Sequence, residues 1–286
     1  MEISHVLRAD EWLSSTPRHI LLYQALGYEP PLFAHLPMIL GPDRTKLSKR
    51  HGATSITEFQ TQGYLPEAMV NFLTLLGWSL DDKTEILTRE ELVRHFSLER
   101  IGKAAATFSY EKLNWMNGVY IRQLSQDEFA HRATPFLEEG LPPQVGRPLP
   151  QDYIHQLAPL IQERAKTLSE VPHLADFFFV EELSYDSNLL LERKLNRETA
   201  ITALETAKDR MKALKCFDAI SLEELLRPLA GELGLKTGQL FGLLRGAVTG
   251  RTASPPLFQT MAVLGKERCL KRIDAAIGKL HTLQLE

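Results

Sequence analysis

Residues 37–52 have the sequence PMILGPDRTKLSKRHG, and this stretch separates two parts of the chain that have different patterns. Four cations and a serine lie between Gly41 and Gly52, where glycine permits the tight turns of a loop. Lysine, arginine and hydroxyl groups on one loop can bind phosphate and stabilise the negative charge that builds up on it during a reaction. Taken alone, such a cluster is more often a solvated basic loop, so the flanking sequence has to decide its function.

The chain that follows this loop, from about residue 60 onward, predicts an all-helical fold. Apolar residues recur at helical spacing near 152–168, 197–214, 238–248 and 265–280. Residues 140–150 are rich in Pro and Gly and predict a connector between helices. Local boundary residues support the helices: Pro66 with Gly77, and capping boxes at Thr88/Glu91, Ser125/Glu128 and Ser221/Glu224.

The chain before the loop has a mixed pattern. Strand-like segments are confined to residues 3–7 and 36–40. A helix is predicted between them, because Thr16-Pro17 is a typical helix start and Gly27 a typical end. Its apolar stripe consists of Ile20, Leu21, Ala25 and Leu26. The front therefore has the pattern of the last part of a mixed α/β domain, and we expect the chain to be truncated there.

Composition excludes several classes of protein. The 286 residues are 44% hydrophobic and 24% charged with a net charge of −3, which is typical of a globular protein. No apolar run reaches the roughly 18 residues of a membrane span, and the first residues do not have the pattern expected of a secretory signal peptide. The two cysteines, Cys216 and Cys269, lie too far apart in sequence for a C-x-x-C zinc site, so we predict no protein-bound metal and a cytoplasmic location.

Charge is distributed unevenly along the chain. From Thr206 onward there are 13 basic and 8 acidic residues, a balance of +5, whereas the preceding part has a balance of −8. A basic end on an acidic chain favours a local contact with a polyanion, although a solvated helical surface explains the same numbers about as well.

Several motifs together resemble one family. Residues 46–50, KLSKR, resemble the K-M-S-K-S loop of class I aminoacyl-tRNA synthetases. The flanking motifs narrow the resemblance to the bacterial-type glutamyl-tRNA synthetases. They are HVLRADEWLSSTP at 5–17, LNWMNGVYIR at 113–122, and LRGAVTGR, SPPLF and LGKER at 244–251, 254–258 and 264–268. These motifs span essentially the whole chain and occur in the order that the family has.

The resemblance implies a mainly α fold made of three parts. Residues 1–43 would be the end of a Rossmann-like catalytic α/β domain, and residues 44–125 the signature loop with a helical stem-contact region. Residues 126–286 would be an all-helical anticodon-binding domain. Within the stem-contact region, we expect Trp115 and Met116 to lie in the core rather than to contact RNA.

The resemblance also implies roles for individual residues. Lys49 would contact the ATP phosphates with support from Lys46 and Ser48, and Glu11 and Ile39 would lie at the ATP. Arg8 would pair with a carboxylate of L-glutamate, for which a guanidinium is well shaped. Alternatives stay open for each, since Arg8 could be a surface cation, Trp12 a core aromatic and Ile39 an ordinary strand residue. The tRNA-contacting set would be Trp12, Arg164, Arg245, Arg251 and Arg268, with Lys266, Lys271 and Arg272 as further cations at the anticodon end.

The expected reaction is ATP-dependent activation of L-glutamate, with Mg²⁺ accompanying ATP, and transfer to the 3′ end of tRNA(Glu). Whether tRNA(Gln) is also a substrate and whether the form is bacterial or organellar remain open; neither DNA nor a membrane is an expected partner. None of the nine histidines falls in the family's H-x-G-H motif, so we expect little charging by this chain alone. The rival hypotheses are a non-catalytic module that binds the anticodon arm and a helical scaffold unrelated to tRNA.

Overall fold

The computed structural model of the chain describes residues 2–52, 55–191 and 195–283, with only the backbone of Lys49. The chain forms two compact units, residues 1–123 and residues 124–286. The first unit combines a small sheet with helices, whereas every regular element described in the second is helical. The mainly α fold predicted from the sequence is confirmed.

The front of the first unit is a β-α-β segment. Strand β1 (His5–Ala9) leads through a 3-10 turn (Asp10–Ser15) into helix α1 (Thr16–Leu26) and then into strand β2 (Leu32–Leu36). The two strands are parallel, with His5 opposite Leu32 and Ala9 opposite Leu36. Helix α1 ends at Gly27, whose φ of 71° is the left-handed conformation that glycine adopts without strain. The predicted strand at 36–40 is wrong, because Leu40 forms isolated bridges to Lys46 and Thr107 instead.

This front segment buries little of its own apolar surface. Between residues 2 and 40, Thr16 is the one buried residue. The apolar stripe of α1 is largely open to solvent, with Leu21 at 63% and Leu26 at 62% exposure. Large exposed apolar residues usually mark a surface that another element covers, so α1 and the sheet lack a partner layer among the described residues.

The rest of the first unit is a helical cluster. Its helices are α2 (Ile56–Thr61), α3 (Pro66–Leu75), α4 (Arg89–His95) and α5 (Tyr110–Gln123). Phe108 lies at the centre, stacked on Phe59 at 5.8 Å between ring centroids and edge-on to Phe72 at 4.9 Å. Two buried amides, Asn71 and Asn117, accept the backbone N–H groups of Leu87 (3.0 Å) and Leu65 (2.8 Å).

The core prediction for α5 is confirmed for Met116, which is fully buried, and wrong for Trp115, which is 46% exposed. The buried residues Leu113, Met116, Asn117 and Ile121 share one side of α5, and at about 100° per residue Trp115 lies on the opposite side.

The second unit contains eight described helices. They are α6 (Gln126–Gly140), α7 (Gln151–Gln162), α8 (Val171–Phe179), α9 (Arg197–Lys212), α10 (Ala219–Glu232), α11 (Thr237–Thr249), α12 (Leu257–Leu264) and α13 (Lys266–Thr282). The predicted connector at 140–150 separates α6 from α7 as expected. No helix among the described residues combines the length and the apolar character that a membrane crossing requires.

The capping predictions have mixed outcomes. Thr88 and Glu91 form the expected reciprocal box at the start of α4. At α6, Ser125 caps the N–H of Glu128, but the Glu128 carboxylate pairs with Arg132. The box at Ser221/Glu224 is wrong because α10 starts one turn earlier, at a cap that Asp218 provides, with 2.8 Å between Asp218 Oδ1 and the N of Ser221.

Candidate functional site

A cavity of about 540 Å³ lies at the carboxyl ends of β1 and β2, where parallel strands commonly present ligand-binding residues. Arg8 and Glu11 reach it from the end of β1 and the turn that follows. Ile39 and Lys46 reach it from the chain that follows β2. Four residues predicted from the sequence therefore line one cavity. The remaining lining is largely apolar and includes Leu7, Met38, Trp78, Phe96 and Ile101.

Arg8 is held by a hydroxyl group and two imidazole rings. Its Nη2 donates to Thr16 Oγ1 at 2.8 Å, its Nε to His35 Nε2 at 3.3 Å, and its Nη1 lies 3.2 Å from His19 Nδ1. The guanidinium carbon also lies 5.7 Å from the ring centre of Trp12, which is 48% exposed. No Asp or Glu among the described residues forms an ion pair with Arg8. An anion entering the cavity would meet a positive charge that these residues do not neutralise.

Residues 41–52, here called the basic loop, begin with a tight turn. Gly41 N donates to Thr45 O at 2.8 Å, and Arg44 occupies the left-handed region with φ 60°. The neighbouring Leu40 fixes the loop to the helical cluster, because Leu40 N donates to Ala106 O at 2.9 Å and Leu40 O accepts from Phe108 N at 2.8 Å. The start of the loop therefore has a defined position relative to the cavity.

Lys46 and Glu11 are 35 residues apart in sequence and form an ion pair, with 2.7 Å between Nζ and Oε2. Their side chains are 62% and 47% exposed, so the pair is weak and an incoming phosphate can replace the carboxylate at small cost. Ile39 is 37% exposed beside them.

The second half of the basic loop carries Ser48 and Lys49. Ser48 contacts the imidazole of His51 through its N–H, 3.1 Å from Nδ1, and through its hydroxyl at 3.3 Å. Lys49 begins the 3-10 turn Lys49–His51, but its side chain, to which the sequence assigns the phosphate contact, lies outside the described part of the chain. No group of three or more His, Cys, Asp and Glu residues suited to a metal ion occurs within the described ranges.

The cations predicted in the second unit occupy different environments. Arg251 pairs with Asp176 at 2.6 Å, and Arg268 pairs with Glu181 at 3.0 Å while donating to Phe178 O at 2.6 Å. These two guanidinium groups therefore support the end of α8.

Arg164 and Arg245 differ from this pair. Arg164 is exposed beyond the end of α7, and its guanidinium contacts no described residue by a hydrogen bond or an ion pair. Arg245 is half-buried on α11.

Arg272 does not present its charge to a surface ligand, contrary to expectation. It is 3% exposed, and its guanidinium donates to the carbonyls of Val248, Phe177 and Val180 at 2.6, 2.7 and 2.6 Å. Burial, with a smaller contribution from Arg268, lowers the pKa of Arg272 to about 10. At neutral pH it remains a buried cation that binds helix ends.

Comparisons with known proteins agree with this arrangement. Residues 1–115 match the family described as tRNA synthetases class I (E and Q), catalytic domain, and residues 128–277 match the family described as anticodon binding domain. A glutamate–tRNA ligase of Dehalococcoides mccartyi strain CBDB1 is 58% identical over 286 residues, which is 100% of this chain and 59% of that protein. The chain belongs to the bacterial-type glutamyl-tRNA synthetase family.

Other members of the synthetase family are more distant. The Roseiflexus castenholzii glutamate–tRNA ligase is 50% identical across 100% of this chain and 57% of its own length. A crystal structure of the glutamate–tRNA ligase of Elizabethkingia meningosepticum, in complex with its amino acid, superposes with a TM-score of 0.84. It is 32% identical and covers 98% of this chain and 58% of that one. The chain thus spans a little under three-fifths of the length of these synthetases.

Sequence reasoning missed several residues around the synthetase motifs. His19, His35 and Thr16 hold Arg8, and Asp43 and His51 organise the basic loop. His19 and His35 belong to no recognisable sequence motif, so only the fold reveals that both contact Arg8. Asp43 and His51 lie inside the recognised loop and could have been flagged as groups able to bond across it.

Proposed function

We propose that this chain acts as part of a glutamate–tRNA ligase that uses ATP to join L-glutamate to the 3′ end of tRNA(Glu). The observation that carries the proposal is the convergence of Arg8, Glu11, Ile39 and Lys46 on one cavity at the carboxyl ends of two parallel strands. In this reaction a glutamate α-carboxylate oxygen attacks the α-phosphorus of ATP, and the bond to pyrophosphate breaks. A hydroxyl of the terminal ribose then attacks the carbonyl carbon, and AMP leaves.

Arg8 is proposed to bind a carboxylate of glutamate. Its guanidinium lines the cavity, and its contacts to Thr16, His19 and His35 fix its orientation without neutralising its charge. A guanidinium held in this way loses little side-chain freedom on binding, which favours affinity.

The residues after β2 and the basic loop are proposed to bind ATP. Ile39 would offer backbone groups to adenine and Glu11 would lie beside the nucleotide. Lys46, Ser48 and Lys49 would serve the phosphates as the adenylate forms. A lysine is most effective here if its contact strengthens as charge moves onto pyrophosphate. Mg²⁺ would arrive with ATP as its counterion.

The second unit is proposed to bind the anticodon arm. Arg164 is the most accessible of the predicted cations, while Arg245, Arg251 and Arg268 would contribute after exchanging or sharing partners with RNA. Trp12 would meet the terminal adenosine of the tRNA by stacking. A second substrate for this surface would be tRNA(Gln), in addition to tRNA(Glu). The proposed location of the protein is the cytoplasm.

The proposed functional boundaries are residues 1–43, 44–125 and 126–286. The exposed apolar stripe of α1, with Leu21 and Leu26 above 60% exposure, supports the view that residues 1–43 function with additional structure packed on them. The same observation favours the second candidate, a module that binds the anticodon arm without charging it.

The test is charging of tRNA(Glu) with labelled glutamate and ATP. The chain is assayed alone and together with the separately expressed part of the Dehalococcoides mccartyi ligase that it does not match. Charging on mixing supports the ligase. Salt-sensitive tRNA binding without charging in either arm supports the binding module. If the chain neither charges nor binds tRNA, both hypotheses are refuted.

Two variants make the test specific. Arg8→Gln removes the uncompensated charge and is expected to raise the KM for glutamate at least tenfold, since one charged contact is lost. Arg44→Asn removes a cation from the basic loop and retains a residue that tolerates positive φ, so it should leave that KM within about twofold.

A further inference from the structure

We propose that His51 is a positioning residue that holds Ser48, and thereby the first residues of the 3-10 turn that follows, in the geometry needed for phosphate chemistry. The inference rests on the proposed function for its kinetic consequence. Its structural part can be tested in the chain without any activity.

The imidazole of His51 connects the two halves of the basic loop. Nδ1 lies 3.1 Å from the backbone N of Ser48, and Nε2 lies 3.1 Å from Asp43 Oδ1. Although the loop is largely exposed, the side chain of His51 is only 9% exposed. A Cβ placed on Gly41 would come within 3.0 Å of three ring atoms, so the ring lies directly against the backbone at the start of the loop.

These contacts favour one tautomer of the neutral ring. A backbone N–H can only donate, so Nδ1 must carry no proton. The proton of the neutral ring is therefore on Nε2 and is donated to Asp43. Arg50 Nε also points at Nε2, at 3.3 Å, but Asp43 Oδ1 is closer to Nε2, at 3.1 Å, and we assign the ring proton to that carboxylate. Arg50 is held in addition by its Nη2, which donates to Thr45 Oγ1 at 2.6 Å.

Asp43 is a fixed acceptor for the ring. Its Oδ1 accepts from the hydroxyl of Thr45 at 2.7 Å and from its backbone N at 3.0 Å. These hydrogen bonds, together with His51, hold the pKa of Asp43 well below its usual range. The chain Ser48 N–H to His51 to Asp43 thus ends on a carboxylate that is itself anchored in the opening turn of the loop.

Among the described residues, no strand or long helix bonds to the backbone of Ser48. Its described bonds are the two to the His51 ring and the one from His51 N to its own carbonyl, at 2.9 Å. The residue before it is fixed separately, because Leu47 N donates to Ile39 O at 3.0 Å, and among the described residues His51 is the side chain that bonds to Ser48 itself. Misplacement of a catalytic group by about 1 Å can cost about a hundredfold in rate.

Two substitutions separate the two bonds of the ring. His51→Asn places an amide oxygen near the position of Nδ1, so it can still accept the Ser48 N–H. His51→Gln places an amide nitrogen near Nε2, so it can reach Asp43 but leaves the Ser48 N–H without an acceptor. His51→Ala removes both bonds, and His95→Asn, at an exposed position on α4, is the matched control.

Hydrogen exchange of the Ser48 amide in the full chain gives the first readout. We expect exchange at least tenfold faster in His51→Ala and His51→Gln than in the original chain, and near-original exchange in His51→Asn and His95→Asn. Nitrogen-15 spectra of the histidine rings should show His51 protonated on Nε2 only. Unchanged exchange in His51→Ala, or a proton on Nδ1, would overturn the proposal.

Charging by the mixed system gives the second readout. We expect kcat to fall between ten- and a hundredfold in His51→Gln with the KM for ATP changed less than threefold, and His51→Asn to recover most of the rate. Equal rates for His51→Gln and His51→Asn would overturn the kinetic role. If the original chain gives no charging on mixing, the proposed function fails, while the exchange data still decide whether His51 holds Ser48.

Discussion

Replacing Arg272 by methionine should destabilise the second unit far more than removing an arginine from its surface. Arg272 Nη1 donates to Val248 O at 2.6 Å in the last turn of α11. Its Nη2 donates to Phe177 O at 2.7 Å in the last turn of α8 and to Val180 O at 2.6 Å just beyond. Carbonyls at helix C-termini have no partner within their own helix and carry the negative end of the helix dipole.

The magnitude follows from how many acceptors lose a donor. The bonds to Val248 and Phe177 are buried, and each buried carbonyl left without a partner costs about 1–3 kcal/mol. Val180 is half-buried, so water can replace its bond. Methionine retains apolar volume and avoids the desolvation of a guanidinium, which offsets part of the loss. We expect a net loss of about 3 kcal/mol in the free energy of unfolding.

Urea unfolding of the full chain, followed by far-UV circular dichroism, measures this loss. For a unit of this size about 3 kcal/mol corresponds to a fall in Tm of about 6–12 °C. All three tryptophans (Trp12, Trp78 and Trp115) lie in the first unit, so their fluorescence provides an internal reference. The fluorescence transition should move less than the dichroism transition.

Arg210→Met is the matched control. Arg210 pairs with Glu232 at 2.9 Å, but both side chains are more than half exposed, so its loss should cost less than about 1 kcal/mol. Arg272→Lys should give an intermediate result, because a compact ammonium group replaces the two separate guanidinium nitrogens that reach these carbonyls. If Arg272→Met unfolds within 1 kcal/mol of Arg210→Met, the assignment of Arg272 as the group that binds the helix ends is refuted.

Four further outcomes can be measured. Cys216 donates to Asp218 at 2.8 Å, and that carboxylate raises the pKa of the thiol; Asp218→Asn keeps the helix cap but removes the charge, so thiol titration at pH 8 should become faster. Burial raises the pKa of the Cys269 thiol to about 12, so this thiol should react only after unfolding. If both thiols of the native chain react with the thiol reagent at once, this prediction is wrong. Gly140→Ala places a Cβ 2.6 Å from Pro172 Cγ and should lower the free energy of unfolding by about 1–3 kcal/mol. Gly231→Ala, inside α10 with open space around it, should raise the free energy of unfolding by about 0.5–1 kcal/mol in the same denaturation assay. Arg164→Gln should weaken tRNA binding and reduce the slope of log K against log salt by about one, and an unchanged slope would exclude a phosphate contact there.

Helix boundaries could be predicted from the sequence wherever the residues of a single turn determine them. Gly27, Pro66 and the Thr88/Glu91 pair each set a helix boundary within about one turn of chain, and each lies where expected. The box at Ser221 failed because Asp218 offers a competing cap one turn earlier. Both choices satisfy the same local rule, and the packing of Leu222, Leu226 and Leu229 accompanies the earlier start.

The site was predictable as a set of residues but not as a set of contacts. The sequence placed Arg8 and Lys46 in the same function through motifs, yet it gave no indication that Lys46 pairs with Glu11. It also gave no indication that two histidines and a threonine hold Arg8. These contacts join residues 8 to 35 positions apart, and one sequence contains no record of which distant side chains meet.

The cations of the second unit show why charge alone is an unsafe guide to an RNA surface. The positive balance after Thr206 counts every arginine equally, but the guanidinium of Arg272 is buried and donates hydrogen bonds to carbonyls inside the unit. Arg251 and Arg268 face Asp176 and Glu181, so tRNA gains from them only the difference between a phosphate and a carboxylate partner. Arg164 is exposed and pairs with no carboxylate among the described residues, so we expect it to contribute more to the proposed tRNA binding than its modest place in the sequence pattern suggests.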